Sequence, residues 1–402
     1  MLTKRKMLAG LAVLGLAIPT GLAAVTMATP AQAALPASLP VTFTNNSGRS
    51  EQVYLYVMGQ SLTSNQLGYG DSAGNFHAWG GGSLPPSPAP DVAITGPANG
   101  QSMTFRIPKL SGRVYFSYGA KLKFFLVPTP NGTGLVQPDP VNPSDPNVNT
   151  LFDWSEYTYN DAGIWLNSSQ VDMLSIPHAV GVKKSDGTTI STGRMVAGGR
   201  NSFFGALAGQ PGGWANLAVM RSGWPLRALS PLKGIQAGKL PANIIDSYIS
   251  QAWSTYASKT LTVQPFGDQP NTKYFGRTSG NTMNFTNSSG AVVTSFNKPT
   301  SADVFGCAGN LDAPNDLVRG PISRTLCAAL NRGTLAAVAT QPDNNAADFY
   351  KVTACNQYAR KIHARMVDGK AYAFAFDDVG NFEALVHDGA PQQAYITIDS
   401  LA

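Results

Sequence analysis

The sequence has 402 residues, of which 43% are hydrophobic and 13% charged, with a formal net charge of +6. This composition excludes an intrinsically disordered chain, which would combine low hydrophobicity with high net charge. Lys4, Arg5 and Lys6 supply half of the net charge, and the remaining basic residues form no stripe of the kind that binds nucleic acid. The 41 glycines and 28 prolines favour many turns between short elements, and therefore a strand-rich fold.

Residues 1–33 have the three parts of a secretory signal peptide. Lys4–Lys6 form a basic start, Leu8–Ile18 is apolar but too short to span a bilayer, and Ala31–Ala33 fits the small-x-small cleavage rule. The alternative is a membrane anchor. Because no later segment reaches 18 consecutive apolar residues, we predict a secreted, extracellular protein that leaves the membrane once the leader is removed.

Three cysteines follow the leader, so one thiol must stay unpaired within the chain. We expect a disulfide between Cys307 and Cys327, with Cys355 free and buried in a helix. No cysteine or histidine spacing resembles a zinc site, and the four histidines are scattered. We therefore predict neither a metal nor another cofactor.

Residues 35–127 show strand patterns between turn signals, which is typical of a β-sandwich or barrel. Leu39–Asn46 alternates apolar and polar residues before a turn, and Val53–Val57 is β-branched and aromatic. Further strand patterns cover 102–108, 113–118 and 123–127. A long irregular loop, rich in Pro, Asn, Asp and Gly, is predicted for residues 128–149.

The pattern changes near residue 200. Helical spacing begins at Leu240 with Pro241 near the start, a second helix is predicted for 317–331 and a third for 346–366. Strands are predicted between them at 261–263 and 291–296, and again at 371–376 and 394–398. These patterns predict a mainly β fold with one β domain of residues 34–198 and 369–402, and a mixed α/β domain of residues 199–368.

Acidic side chains lie among aromatic ones between Leu151 and Asp172, in a chain that has only 23 acids. If 154–160 is a strand, alternation separates its side chains into two faces. The polar face consists of Trp154, Glu156, Thr158 and Asn160. The other face, which suits a core, consists of Ser155, Tyr157 and Tyr159.

A polar face with a central acid and neighbouring aromatic rings suits a sugar site. Glycoside hydrolysis needs one protonated carboxyl and one ionised carboxyl, in environments that separate their pKa values. Glu156, beside aromatic residues, is the natural acid because desolvation raises a carboxyl pKa, and Asp172 is the natural base. The alternative is that both are solvated strand acids.

Other residues are harder to assign. Asp377 and Asp378 follow an apolar strand pattern, and we interpret them first as a turn with hydrogen-bonding carboxylates. Trp214 and Trp224 fit either a core or the wall of a cleft.

The segment from Glu156-Tyr-Thr-Tyr-Asn through Trp165 to Asn167-Ser-Ser-Gln-Val-Asp172 resembles the signature of glycoside hydrolase family 64, the laminaripentaose-producing β-1,3-glucanases. Val41–Asn46, Gln170–Pro177 and Tyr372–Val379 are similar to segments of the wider thaumatin-like superfamily. The resemblance covers essentially the whole chain after the leader.

This resemblance implies Glu156 as general acid and Asp172 as general base of an inverting reaction, in which the carboxyls lie about 6.5–9.5 Å apart. It implies Thr158, Asn160 and Trp165 as glucan-binding residues. It also implies a thaumatin-like β-barrel or sandwich domain and a mixed α/β domain on either side of a wide cleft.

The predicted function is therefore that of an endo-acting β-1,3-glucan hydrolase, a monomer that acts on laminarin, curdlan or the fungal cell wall and releases laminaripentaose. One alternative is a non-catalytic, thaumatin-like β-1,3-glucan-binding or antifungal protein. Another is a hydrolase of a different glycan.

Overall fold

A computed structural model describes residues 34–401, so the predicted leader lies outside the described residues. Strand accounts for 35% of the structure and helix for 18%, which confirms a mainly β fold. No helix within residues 34–401 has the length and hydropathy needed to cross a membrane.

Strands dominate the region before residue 199. The strands there are β1 (Ser38–Asn45), β2 (Val53–Ser61), β3 (Leu67–Gly70), β4 (Phe76–Ala78), β5 (Ser87–Pro88), β6 (Ile94–Thr95), β7 (Gln101–Pro108), β8 (Leu110–Tyr118), β9 (Phe125–Thr129), β10 (Gly132–Val136), β11 (Leu151–Asn160), β12 (Gly163–Ser168), β13 (Met173–Leu174), β14 (His178–Lys183) and β15 (Thr189–Thr192).

Helices and strands alternate in the rest of the chain. The α-helices are α1 (Gly199–Ala208), α2 (Pro231–Gln236), α3 (Asp246–Ser258), α4 (Ser301–Gly306), α5 (Arg319–Arg332) and α6 (Gln357–His363). Short 3-10 helices are Trp214–Leu217, Gly309–Leu311 and Ala346–Asp348. The strands are β16 (Ala218–Arg221), β17 (Trp224–Leu229), β18 (Leu261–Val263), β19 (Tyr274–Ser279), β20 (Thr282–Thr286), β21 (Val292–Asn297), β22 (Thr340–Gln341), β23 (Leu385–Asp388) and β24 (Gln393–Ile398).

Two large sheets form most of the β region. One has the strand order β15-β14-β24-β1-β7, in which β1 pairs with β24 in parallel and with β7 antiparallel. The other runs β23-β12-β11-β8-β2-β3-β4, with β6 paired to β2. Buried apolar side chains of both sheets, among them Phe43, Phe116 and Ile396, belong to one cluster, so the two sheets pack face to face.

A second hydrophobic cluster lies mainly within residues 195–374. It combines side chains of the helices with those of the sheet β21-β20-β19-β18-β22, among them Trp253, Phe285 and Leu326. Most of the first cluster belongs to the strand-rich region, named here the β part, and most of the second to the region of alternating helices and strands, the mixed α/β part. The division into two domains, with its boundaries, stays a prediction.

Two of the predicted helices need correction. The helix predicted from Leu240 begins only at Asp246, because the chain from Pro241 onward forms turns. The helix predicted for 346–366 is instead the 3-10 turn Ala346–Asp348 and the separate helix α6. Tyr350 adopts a φ of 58°, which interrupts the helix between them.

The second predicted helix is confirmed as α5. It ends at Gly333, whose φ of 76° suits a glycine cap.

The cysteine prediction is confirmed in its pairing. Cys307 and Cys327 form a disulfide, and Cys355 is free and buried. Cys355 does not lie in a helix as predicted, because α6 starts only after Asn356, whose side chain caps it by accepting from the Ala359 N–H.

The predictions of a loop at 128–149 and of a strand at 371–376 were also wrong. The long loop predicted for 128–149 contains the hairpin of β9 and β10 at its start. The strand predicted for 371–376 is a series of turns, with a single bridge between Tyr372 and Ser169. The buried carboxylate of Asp377 accepts the Ala373 N–H, which closes a local turn and removes that donor from sheet pairing.

Candidate active site

Glu156 lies near the middle of β11, in a row of side chains that crosses several strands. Its direct antiparallel partners are Arg113 on β8 and Asn167 on β12. Directly opposed residues project to the same face of a sheet, so these three side chains lie next to one another. The neighbouring row contains Ser111, Thr158 and Trp165.

The predicted alternation along β11 is confirmed. Tyr157 and Tyr159 are buried in the cluster between the two large sheets. Glu156 and Thr158 therefore belong to the opposite face, together with Trp154, which packs in a third, separate cluster. The arrangement separates the chemistry of the polar face from the apolar packing behind it.

Arg113 is the principal partner of Glu156. Its Nη2 and Nε lie 3.1 Å and 3.2 Å from the same carboxylate oxygen, Oε1. The side chain of Glu156 is 11% exposed. Within residues 34–401, the other oxygen, Oε2, accepts no hydrogen bond. Glu156 is thus held by one oxygen and keeps the second available for a proton.

Asp172 lies beside the same guanidinium. Arg113 Nη2 is 3.6 Å from Asp172 Oδ2, and Lys233 Nζ is 3.6 Å from Oδ1. The Asp172 side chain is 29% exposed, more than that of Glu156. The structure therefore brings together the two carboxylates that the sequence singled out, with two basic side chains around them.

Arg113 itself sits on an aromatic support. Its guanidinium stacks 4.3 Å from the centroid of the Trp154 ring, and Nη1 donates to the Tyr115 hydroxyl, which in turn bonds Gln137. Although burial disfavours the charge, the pKa of Arg113 is raised by Tyr115, Glu156 and Asp172. The guanidinium therefore supplies a fixed positive charge.

Neither basic residue was predicted from the sequence. Arg113 is the charged residue at the start of an aromatic strand segment, and the alternation argument applied to β8 as well as β11 would have found it. Lys233 lies on α2, more than sixty positions from Asp172, and no pattern in the sequence connects the two.

The three predicted glucan-binding residues lie on the hairpin of β11 and β12, beyond Glu156. The Thr158 hydroxyl is 3.0 Å from that of Ser111, and Trp165 is the direct cross-strand partner of Thr158. The partly exposed Trp165 ring stacks on His387, with centroids 4.2 Å apart and planes inclined by 17°. Asn160 closes the turn by accepting the Ala162 N–H.

Three hydrogen bonds hold the segment around Asp172. Gln170 accepts from the Tyr358 hydroxyl through its backbone carbonyl and from the Tyr372 N–H through its side chain. The Asp172 carbonyl accepts the Ser230 N–H at 2.9 Å, which fixes this carbonyl against the start of α2. The backbone of Asp172 is therefore positioned by residues from the mixed α/β part.

Asp153 connects the segment after Asp172 to β11. Its Oδ2 accepts the N–H groups of Ser175 and Ile176, each at 2.9 Å, and its Oδ1 accepts the Trp154 N–H. Burial raises the pKa of Asp153 to about 7, although these N–H donors act in the opposite direction. One buried carboxyl thus joins the strand of Glu156 to the chain that follows Asp172.

The structure shows the surroundings of the tryptophans and aspartates whose roles the sequence did not decide. Trp214 is buried against Phe305, and Trp224 is partly exposed and stacks on Arg200. Asp377 is fully buried and bonds Arg332 and His363, as its interpretation as a hydrogen-bonding turn acid required, whereas Asp378 is exposed. Among residues 34–401, no three His, Cys, Asp or Glu side chains cluster in a way that could hold a metal.

The chain matches the family model described as beta-1,3-glucanase, glycoside hydrolase family 64, over residues 37–398. It is 48% identical over 380 residues to a glucan endo-1,3-beta-glucosidase of Arthrobacter sp. (strain YCWD3), covering 94% of this chain and 68% of that one. A protein of the same name from Cellulosimicrobium cellulans shows the same identity and coverage.

Solved structures of β-1,3-glucanases also match this chain. A laminaripentaose-producing beta-1,3-glucanase in complex with laminaritetraose superposes with a TM-score of 0.88 at 56% identity, covering 92% of this chain and 100% of that one. A beta-1,3-glucanase domain from Clostridium beijerinckii gives a TM-score of 0.76 at 27% identity, covering 90% and 98%. The chain is a glycoside hydrolase, and it belongs to family 64, the β-1,3-glucanases.

Proposed function

We propose that this chain is an endo-acting β-1,3-glucan hydrolase in which Glu156 donates the proton and Asp172 activates the water. The observation that carries the proposal is the single guanidinium nitrogen, Arg113 Nη2, that contacts both carboxylates. Both carboxylates therefore lie beside one guanidinium. Relatives named glucan endo-1,3-beta-glucosidase support the substrate, and the neighbour that produces laminaripentaose supports that product.

The environments of the two carboxyls support this division of roles. Glu156 is the more buried of the two, and its Oε2 is free of donors within the described chain. Asp172 is more exposed and has a cation beside each oxygen, while neither cation is close enough for a hydrogen bond. A water can therefore approach Asp172, which a general base requires.

We further propose that the reaction inverts the anomeric centre, through a single displacement. Arg113 Nη2 lies 3.1 Å from Glu156 Oε1 and 3.6 Å from Asp172 Oδ2, so the distance between these two oxygens cannot exceed the sum of the two contacts. Inverting enzymes hold their carboxyls about 6.5–9.5 Å apart. Inversion therefore requires the two oxygens to approach Arg113 from nearly opposite sides, or the outer oxygens to do the chemistry.

Proton NMR of the first product from laminarin tests the stereochemistry. The α-anomer is expected to appear first, and initial release of the β-anomer would contradict inversion.

Two substitutions test the roles of the carboxyls. Glu156→Gln should lower kcat on laminarin by about 10²–10⁴-fold, but far less on a β-laminaripentaosyl fluoride, because fluoride leaves without a proton. Asp172→Asn should lower kcat on both substrates, because both need an activated water. An equal loss of kcat on both substrates in Glu156→Gln, or full activity of Asp172→Asn, would contradict the assignment. Circular dichroism checks that both variants are folded.

We also propose that Thr158, Asn160 and Trp165 bind glucan in a cleft of thaumatin-like architecture between the β part and the mixed α/β part. The stacked, partly exposed Trp165 offers a flat surface for a pyranose ring. The non-catalytic binding protein is disfavoured, because the chain matches enzymes over almost its whole described length.

The remaining proposals concern the whole protein. We propose a secreted monomer that loses its leader after Ala33 and acts on laminarin, curdlan or fungal cell-wall glucan. The basic start and apolar middle of residues 1–33 support export.

A further inference from the structure

We propose that Lys233 is a positioning residue of the active site, which holds Asp172 in the orientation needed to activate water. This inference rests on the proposed function, because it assigns Lys233 a role through Asp172. Its basis is the ion pair of 3.6 Å between Lys233 Nζ and Asp172 Oδ1.

The backbone around Lys233 is built to keep that pair in place. Lys233 is the third residue of α2, and helical side chains point back towards the helix start. At that start, Ser230 N–H donates to the Asp172 carbonyl, and the next residue, Met173, pairs with Leu229 across β13 and β17. The side-chain pair is therefore supported by two backbone connections between the same segments.

Close packing fixes the position of α2 as well. A Cβ atom on Gly234, the residue after Lys233, would lie 2.1 Å from Leu217 Cδ2, so a larger residue there would require the Leu217 side chain to move. Lys233 is 24% exposed, which leaves its charge only partly screened by solvent.

The two cations act on different oxygens of Asp172. Arg113 lies beside Oδ2 and Lys233 beside Oδ1, so rotation of the carboxylate in either direction loses one ion pair. Arg113 is shared with Glu156, whereas Lys233 has no other ion pair within the described chain. Lys233 is therefore the cation that serves Asp172 alone.

The test is Lys233→Met in the full chain, with Lys239→Met as a matched control. Lys239 is exposed, lies just beyond the same helix and forms no ion pair within residues 34–401. We expect Lys233→Met to lower kcat on laminarin by about 10–100-fold with little change in KM, since small misplacements of catalytic groups have effects of this size. Lys233→Arg should recover part of the loss, and Lys239→Met should behave as the parent.

A second substrate shows whether Lys233 acts on water activation by Asp172 or on proton donation by Glu156. Because hydrolysis of a β-laminaripentaosyl fluoride still needs the activated water, Lys233→Met should lose as much activity on the fluoride as on laminarin. Unchanged kcat, or a loss confined to laminarin, would overturn the inference.

Thermal unfolding shows whether any loss comes from unfolding. If Lys233→Met is destabilised, Lys233→Gln, which keeps a polar side chain of similar length, replaces it and must show the same loss on both substrates. Failure of the proposed function itself is visible separately, because Asp172→Asn would then keep its activity whatever Lys233→Met does.

Discussion

Arg113 is the residue whose charge reaches both carboxylates, so its substitution should affect the acid and the base together. We expect Arg113→Met to lower kcat/KM by about 100-fold or more, and Arg113→Lys by a smaller factor, because lysine keeps the charge but cannot donate two N–H groups to one oxygen. The loss should appear on laminarin and on the glycosyl fluoride alike.

The exposed Arg277 on β19 provides the control. Arg277→Met should leave kcat/KM unchanged, and a similar loss in both variants would show that Arg113 has no special role.

Glu383 is a residue outside the candidate site that links stability to pH. Burial, with the charges of Asp378 and Asp377, raises its pKa from 4.5 to about 7, and its Oε2 is buried without a hydrogen-bond partner. An acid whose pKa is raised by folding binds its proton more tightly in the folded state, so this group costs stability as the pH rises from about 4.5 through 7.

We therefore expect Glu383→Gln to stabilise the protein by about 1–3 kcal/mol at pH 8 and by little at pH 4. Urea unfolding at the two pH values measures the difference. Glu51→Gln is the control, and it should lower rather than raise stability at pH 8, because a side-chain hydrogen bond from Arg49 lowers the pKa of Glu51. A pH-independent effect of Glu383→Gln would contradict this account.

At the scale of elements, β11 and the segment after Asp172 are joined by one buried carboxyl, that of Asp153. Asp153→Asn puts an amide in place of an oxygen that accepts two N–H groups, from Ser175 and Ile176. We expect a loss of about 2–3 kcal/mol in the free energy of unfolding, together with a lower kcat in the fraction that is folded, because Asp172 loses its support.

Urea unfolding and activity at a temperature well below the transition give the two readouts. Asp186 offers a matched exposed aspartate in a surface turn, where Asp186→Asn should change stability by less than about 0.5 kcal/mol. Full activity and stability in Asp153→Asn would exclude the proposed connection.

Elements with local signals were predictable from the sequence. Alternation identified β1, β11 and the two faces of β11, and a terminal glycine identified the end of α5. The predicted strand at 371–376 failed because its backbone donors bond to scattered acceptors, among them the buried carboxylate of Asp377 and the side chain of Gln170, which the sequence pattern does not indicate. The role of Lys233 could not be predicted either, because its partner Asp172 is distant in the sequence.

At the scale of the whole molecule, the candidate active site combines residues from distant parts of the chain. Arg113 and Glu156 belong to one sheet, Asp172 follows it, and Lys233 comes from a helix of the mixed α/β part. Composition predicted a strand-rich fold, the residue pattern singled out Glu156 and Asp172, and the family resemblance implied that the two lie in one site. Geometry was needed to add the two cations.

The order β14-β24-β1-β7 has a consequence for how the protein acquires its shape. The first described strand, β1, is an interior strand of its sheet only because β24 lies beside it in parallel, with Val41 opposite Ala394. Until β24 is made, β1 is an edge strand and β14 has no strand that connects it to β1. Pairing between such distant segments is slow, so we expect this sheet to close late in folding, once β24 is in place.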